Sequence, residues 1–169
     1  ERLIHFVSRE AFNIEGLGDK IIDDFYHEGI LHSPADIFTL EKRNGDSDLF
    51  SHQSNSALHL ESRDGWGKKS VEKLFAAIRA RQKINLPRFI YALGIRQVGT
   101  ATSRIIAQNY GSFESFMTDM QNKETAKLVA IDGIGGAMAK DIVEFFQEEH
   151  NLETIHNLLA LVTVEDYID

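Results

Sequence analysis

The sequence predicts an all-α chain built from one short unit used four times. Three observations carry this expectation. Apolar residues recur at helical spacing through most of the chain, two prolines and almost no period-two alternation leave little room for a sheet, and one glycine-bearing frame comes back along the sequence.

The first segment, "LGDKIIDDFYHEG", places Leu17, Ile21, Ile22 and Phe25 on one helical stripe. "SPADIFTL" opens with Ser33 as a cap and Pro34 at the first helical position, where its missing N–H is not needed, so a short helix is expected. From Glu41 to Ser62 the chain is rich in Ser, Asn, Asp and His with weak periodicity, which predicts a long irregular loop over 41–62. "VEKLFAAIRARQK" restores the stripe with Val71, Leu74, Phe75 and Ile78. "LPRFIYALG" predicts a short helix ending at Gly94, and "AKDIVEFFQEEH" another with Ala139, Ile142, Val143 and Phe146 on one face.

The recurring frame is apolar-x-Gly-apolar-Gly. It reads "IEGLG" at Ile14–Gly18 and "IDGIG" at Ile131–Gly135. "RDGWG" at Arg63–Gly67 has Arg63 in the leading apolar place, and "IRQVG" at Ile95–Gly99 has Gln97 in place of the first glycine. Each copy joins a preceding short helix to a longer amphipathic one, a helix-hairpin-helix, with hairpins expected near 12–28, 61–82, 88–109 and 125–148. A dinucleotide-binding glycine loop would have to follow a β-strand, and no strand is expected before any copy. A lone copy would read as a tight turn; four copies ask for more.

The chemistry follows from helix ends. The first N–H groups of a helix have no internal partner and carry partial positive charge, and glycines let a bulky anion come close to them. Each turn is therefore a candidate phosphate cradle, using Gly16 and Gly18, Gly65 and Gly67, Gly99, and Gly133, Gly135 and Gly136. Residues 63–104 hold ten basic side chains and two acidic ones, a local net charge of +8 in a chain of net −8, so the flanks carry −16. Lys68 and Lys69 fall on a first helical turn, where cations oppose the helix dipole and a ligand would explain them. Arg96, Thr100 and Arg88 stand at phosphate-contact positions around the third turn, giving affinity without base readout. The first and fourth turns carry Glu15, Asp19 and Asp132; weaker or merely structural roles are expected there, with Asp132 orienting its turn and a backbone-only contact near Gly133, Gly135 and Gly136 at the fourth. Trp66, in the apolar slot of the second turn, is expected to pack between the two helices of its hairpin rather than to enter a groove.

At 169 residues and 43% apolar content the chain can bury a core as one domain. It has no apolar run of membrane length and no leader-like start, so a soluble, cytoplasmic chain without a membrane partner is expected. Zero cysteines and seven scattered histidines give no expectation of a metal in this segment.

The stretches "LIHFVSREAFNIEGLGDKIID", "LPRFIYALGIRQVGTATSRIIAQNYGSFESFM" and "IDGIGGAMAKDIVEFF" resemble the helix-hairpin-helix domain of bacterial NAD-dependent DNA ligases. In that family the domain lies between a four-cysteine zinc finger and a BRCT domain. The resemblance implies a non-catalytic module that grips double-stranded nicked DNA through phosphates and the minor groove and closes around it with the other domains of the ligase, in replication and repair. NAD and magnesium would serve the parent enzyme and zinc the upstream finger, with no cofactor in this segment; the resemblance also implies a nucleoid-associated location. The competing reading is an interdomain scaffold whose basic face docks an acidic protein. No nucleophile, base and orienting group can be assembled from the sequence for an independent enzyme.

Overall fold

The computed structural model describes residues 2–45 and 58–168. Its helices are α1 (Arg2–Val7), α2 (Asp19–His27), α3 (Leu40–Gly45), α4 (Lys68–Ala80), α5 (Leu86–Ala92), α6 (Thr100–Tyr110), α7 (Phe113–Gln121), α8 (Ala126–Val129), α9 (Gly136–Phe145) and α10 (Glu149–Leu159). The apolar stripes become the core: Ile22 and Phe25 of α2, Val71, Leu74, Phe75 and Ile78 of α4, and Ala139 and Ile142 of α9 are buried. Gly94 takes a left-handed φ of +71° just beyond α5, the conformation that ends helices and that glycine adopts without strain.

Three expectations need correction. The segment after Ser33 is a 3-10 helix, Pro34–Thr39, held by the Asp36 carboxylate, which accepts from the N–H groups of His32 (2.8 Å) and Ser33 (3.1 Å). The expected loop over 41–62 begins inside α3 and ends in a 3-10 turn, Leu60–Ser62; Leu60 is wholly buried and its N–H donates to the Asn44 side chain at 2.9 Å, while residues 46–57 lie outside the described residues. A small parallel sheet does exist. β1 (Lys83–Asn85) pairs with β2 (Thr163–Glu165) in the register Lys83 to Thr163, Ile84 to Val164 and Asn85 to Glu165. Three-residue strands are too short for periodicity to reveal, and their partners lie some eighty residues apart.

The turns pair the hairpins by twos. A Cβ on Gly16 of the first turn would meet Leu74 of α4 at 3.3 Å, and Trp66 of the second turn stacks on Phe25 of α2 at 6.0 Å between ring centroids. Leu74 and Phe25 each stand seven residues beyond the second glycine of their own hairpin. The other two hairpins repeat the exchange: Gln97 of the third turn hydrogen-bonds Asp141 of α9, and Gly133 of the fourth faces Ile105 of α6, both six residues beyond the last residue of the frame. Each turn thus leans on the second helix of its partner at an equivalent position, and the two hairpins of a pair are related by a local pseudo-two-fold axis.

An aromatic chain ties the pairs together. Phe38 and Phe12 meet edge to face at 5.7 Å, Phe12 and Phe89 at 6.3 Å, Phe89 and Phe113 at 4.9 Å, and Phe116 and Phe146 at 5.3 Å. Such pairs add about 0.5–1.5 kcal/mol each beyond the area they bury. Phe89, fully buried at the middle of this chain, is the residue whose loss should be felt most widely. Phe89→Ala is expected to cost about 3–5 kcal/mol, read as a fall in the urea midpoint of unfolding; a change below about 1 kcal/mol, the size of a surface effect, would contradict the packing described.

Candidate nucleic-acid interface

The four turns share one backbone. The carbonyl of the leading residue (Ile14, Arg63, Ile95, Ile131) accepts from the N–H three residues on (Leu17, Trp66, Val98, Ile134) at 3.4, 3.0, 3.0 and 3.1 Å. The third residue is left-handed in every copy, with φ of +96° at Gly16, +81° at Gly65, +71° at Gln97 and +99° at Gly133. A β-turn of this kind needs a positive φ there, which explains the first glycine of the frame. Gln97 takes the same conformation without being glycine, and its side-chain amide donates to the Asp141 carboxylate.

The second glycine has a different reason. Gly18, Gly67, Gly99 and Gly135 are the N-caps of α2, α4, α6 and α9, and all four are extended. Their carbonyls accept the first intrahelical bonds, from Ile22, Val71, Ser103 and Ala139 at 3.0, 3.1, 2.9 and 2.9 Å. An extended φ suits any residue, and a Cβ at these glycines would meet nothing within 4 Å. Nothing inside the molecule requires glycine, while Ser, Asp or Asn would cap the helix better. The effect of glycine is to leave the first-turn N–H groups bare and open, together with exposed Gly136 at the start of α9.

Cations distribute unevenly around these caps. Lys68 and Lys69 on the first turn of α4, and Arg96 beside Gln97, are exposed and have no ion-pair partner among the described residues. Thr100, the first residue of α6, is exposed next to Gly99. Arg88 is half-buried, and its Nη1 donates to the carbonyls of Arg9 (3.0 Å) and Ala11 (2.8 Å), so it ties α5 to the turn after α1. It also lines a cleft of about 600 Å³ with Thr100 and Arg104. Arg104 was not marked by the frame; its signal is its place one helical turn beyond Thr100, on the same face. Of the other cations in the basic stretch, Arg63 pairs with Glu28, Arg79 with Glu41, and Arg81 Nε donates to the Asn13 carbonyl at 3.5 Å.

Glu15, Asp19 and Asp132 are exposed, and Asp132 makes no side-chain hydrogen bond among the described residues that would orient its turn. Trp66 is half-buried, but its ring partner is Phe25 of the neighbouring hairpin. Arg63, the charge in an apolar slot, is accommodated by a bidentate bond to Glu28 (2.7 and 2.5 Å) and by lying over the Phe25 ring at 5.3 Å. Hydrogen bonding from Arg63 holds the Glu28 carboxyl below the usual carboxylate range.

The helix-hairpin-helix motif family matches residues 88–155, the third and fourth hairpins. The chain is 46% identical over 173 residues to the DNA ligase of Pelobacter propionicus, covering 99% of this chain and 25% of that protein. It is 49% identical over 174 residues to the DNA ligase of Rhodospirillum rubrum (99% and 24%), and 43% over 173 residues to that of Rickettsia bellii (99% and 24%). The chain is a helix-hairpin-helix domain of the DNA ligase family. It spans about a quarter of the length of these relatives. The first and second hairpins of the ligase domain, outside the matched motif, carry the same turn backbone and the same reciprocal packing.

The two glycines of a frame should separate stability from binding. Gly65→Ala forces a left-handed alanine and is expected to destabilise by about 1–2 kcal/mol, whereas Gly67→Ala, extended and open, should cost only the poorer N-cap, about 0.5 kcal/mol, both read by thermal unfolding. Equal costs would mean that the second glycine is structural. Because the folded Glu28 pKa is lowered, its bond to Arg63 stabilises above the unfolded carboxylate pKa and is lost as pH falls through the folded value. Arg63→Met should therefore flatten part of the acid loss of stability below pH of about 4.5, the ordinary glutamate range.

Proposed function

We propose that the domain binds double-stranded DNA at a nick without reading sequence, as the non-catalytic grip of an NAD-dependent DNA ligase acting in replication and repair. The observation that supports this most directly is the set of four N-caps stripped of side chains, paired by pseudo-two-fold axes, with exposed cations on the second and third turns that have no ion-pair partner among the described residues. Antiparallel strands are related by dyads perpendicular to the duplex axis, so paired cradles match phosphates on opposite sides of one groove. The minor groove is the narrower, at about 6 Å, which suits two turns held close together.

Gly16, Gly18, Gly65, Gly67, Gly99, Gly133, Gly135 and Gly136 would present backbone N–H groups to phosphate oxygens. Lys68, Lys69, Arg96 and the Thr100 hydroxyl would add charge and hydrogen bonds; Arg88 would contribute mainly by fixing the third hairpin, since its Nη1 is engaged inside the chain. Among the described residues no three His, Asp or Glu side chains come together as a metal site, and no step here runs through a metal. NAD, magnesium and zinc would act in other parts of the ligase, which would close with this domain around the DNA. No described helix is long and apolar enough to cross a membrane; a cytoplasmic, nucleoid-associated place follows from the DNA reading alone.

Phosphate neutralisation makes binding salt-dependent, with a log–log slope of about −0.9 per phosphate contacted. In the full-length ligase, changing Lys68, Lys69 and Arg96 together to Ala should reduce the slope for nicked duplex by about 3, close to one per cation, and weaken nick sealing at physiological salt. Unchanged slope and sealing would reject the assignment. Loss of sealing with DNA affinity intact would favour the interdomain scaffold.

A further inference from the structure

The pseudo-two-fold axes relate the turns in backbone but not in charge. Taking the second residue of each turn with the first six residues of the helix it opens, the first hairpin has Glu15, Asp19, Lys20, Asp23 and Asp24, a net of −3. Its partner, the second hairpin, has Asp64, Lys68, Lys69, Glu72 and Lys73, a net of +1. The third has Arg96 and Arg104, a net of +2, and its partner, the fourth, has Asp132, Lys140 and Asp141, a net of −1. All of these side chains are exposed except Asp141, which is half-buried and bonded to Gln97. Each pair therefore places one cationic and one acidic turn across its axis, a contrast of four charges in one pair and three in the other.

Part of this contrast is structural: Asp141 accepts from Gln97, Asp23 pairs with His27, and Asp24 acts on Arg63 across the first pair. The carboxylates nearest the caps, Glu15, Asp19 and Asp132, and the cations Lys68, Lys69, Arg96 and Arg104 have no ion-pair partner among the described residues, so that part of the contrast has no structural explanation. Exposed charges farther apart than the screening length of about 8–10 Å hardly feel one another, so on the DNA-binding reading each turn would act mainly on the phosphates nearest to it.

Resting on the DNA-binding reading, we propose that each pair holds the two strands unequally. The cationic turn fixes one backbone by charge, and the dyad-related acidic turn meets the other through bare N–H groups alone. One strand in each pair is then anchored while the other is only guided, which gives the domain a strand polarity that its backbone symmetry lacks. A strand that is interrupted or displaced under an acidic turn costs the complex little, so the duplex stays gripped while the ends at a break are brought into line.

The test uses the full-length ligase on a duplex whose single nick fixes the register, with phosphates replaced one at a time by uncharged methylphosphonate. Under each hairpin pair, replacements on one strand should weaken binding by about fivefold or more, the loss of one charge-assisted contact, while the dyad-related replacements on the other strand change affinity by less than about twofold. Equal sensitivity of both strands would overturn the proposal while leaving DNA binding intact. Insensitivity at every position would instead reject the DNA-binding reading itself. A second arm uses Asp132→Arg, which copies Arg96 into the fourth turn: it should steepen the salt slope by about one contact and make the guided strand sensitive at a new position. An unchanged slope would show that the fourth turn does not approach the backbone, and would also overturn the proposal.

Discussion

Everything in this domain depends on one left-handed residue per turn. With φ positive at the third position, the chain reverses within three residues, the leading carbonyl finds the N–H of the next apolar residue, and the following helix starts at once. That abruptness leaves a helix N-terminus with no preceding side chain folded over it. Glycine meets the requirement three times. At Gln97 the same backbone carries a conformation that L-residues adopt at a cost, offset in part by the side-chain bond to Asp141, which also links the third turn to its partner helix. The departure in sequence and the contact across the pair are thus one feature.

A bare helix end is a weak anion site, worth a fraction of a kcal/mol to about 1 kcal/mol when exposed. Four of them matter only if their spacing is fixed before a ligand arrives, because ordering them on binding would consume what they contribute. The reciprocal contacts fix the spacing within each pair. The phenylalanine chain from Phe38 through Phe12, Phe89 and Phe113 fixes one pair against the other, since Phe12 precedes the first turn and Phe113 follows α6. β2 adds a clasp by pairing with β1, at the junction between the second and third hairpins.

Much of the turn geometry was legible in the sequence because its determinants are local. A turn needing positive φ, a cap without a side chain and an amphipathic helix are each written within about ten residues, and repetition turned a common pattern into a specific one. What the sequence hid was set by distant contacts. Nothing near Arg88 signals that its guanidinium reaches the carbonyls of Arg9 and Ala11, and nothing near Trp66 indicates that its ring belongs with Phe25 of another hairpin rather than with its own. The pairing of hairpins was invisible for the same reason: the frame specifies each turn, and only packing specifies which helix it leans on.

Net charge is a poor guide to the partner of such a molecule. At −8 the chain as a whole should be repelled by a polyanion, but repulsion across the domain is screened beyond about 10 Å, and what a phosphate meets is the turn beside it. The fold sorts its cations accordingly. Several of those in the basic stretch that lie away from the caps are paired with carboxylates or held by backbone carbonyls, as at Arg63, Arg79, Arg81 and Arg88, whereas Lys83 of β1 is exposed. Those at the second and third caps are left exposed. On the proposed reading the acidic remainder has a physical consequence of its own: it disfavours approach of DNA by faces other than the cationic second and third turns, so a domain of negative net charge would still bind DNA, and in one orientation.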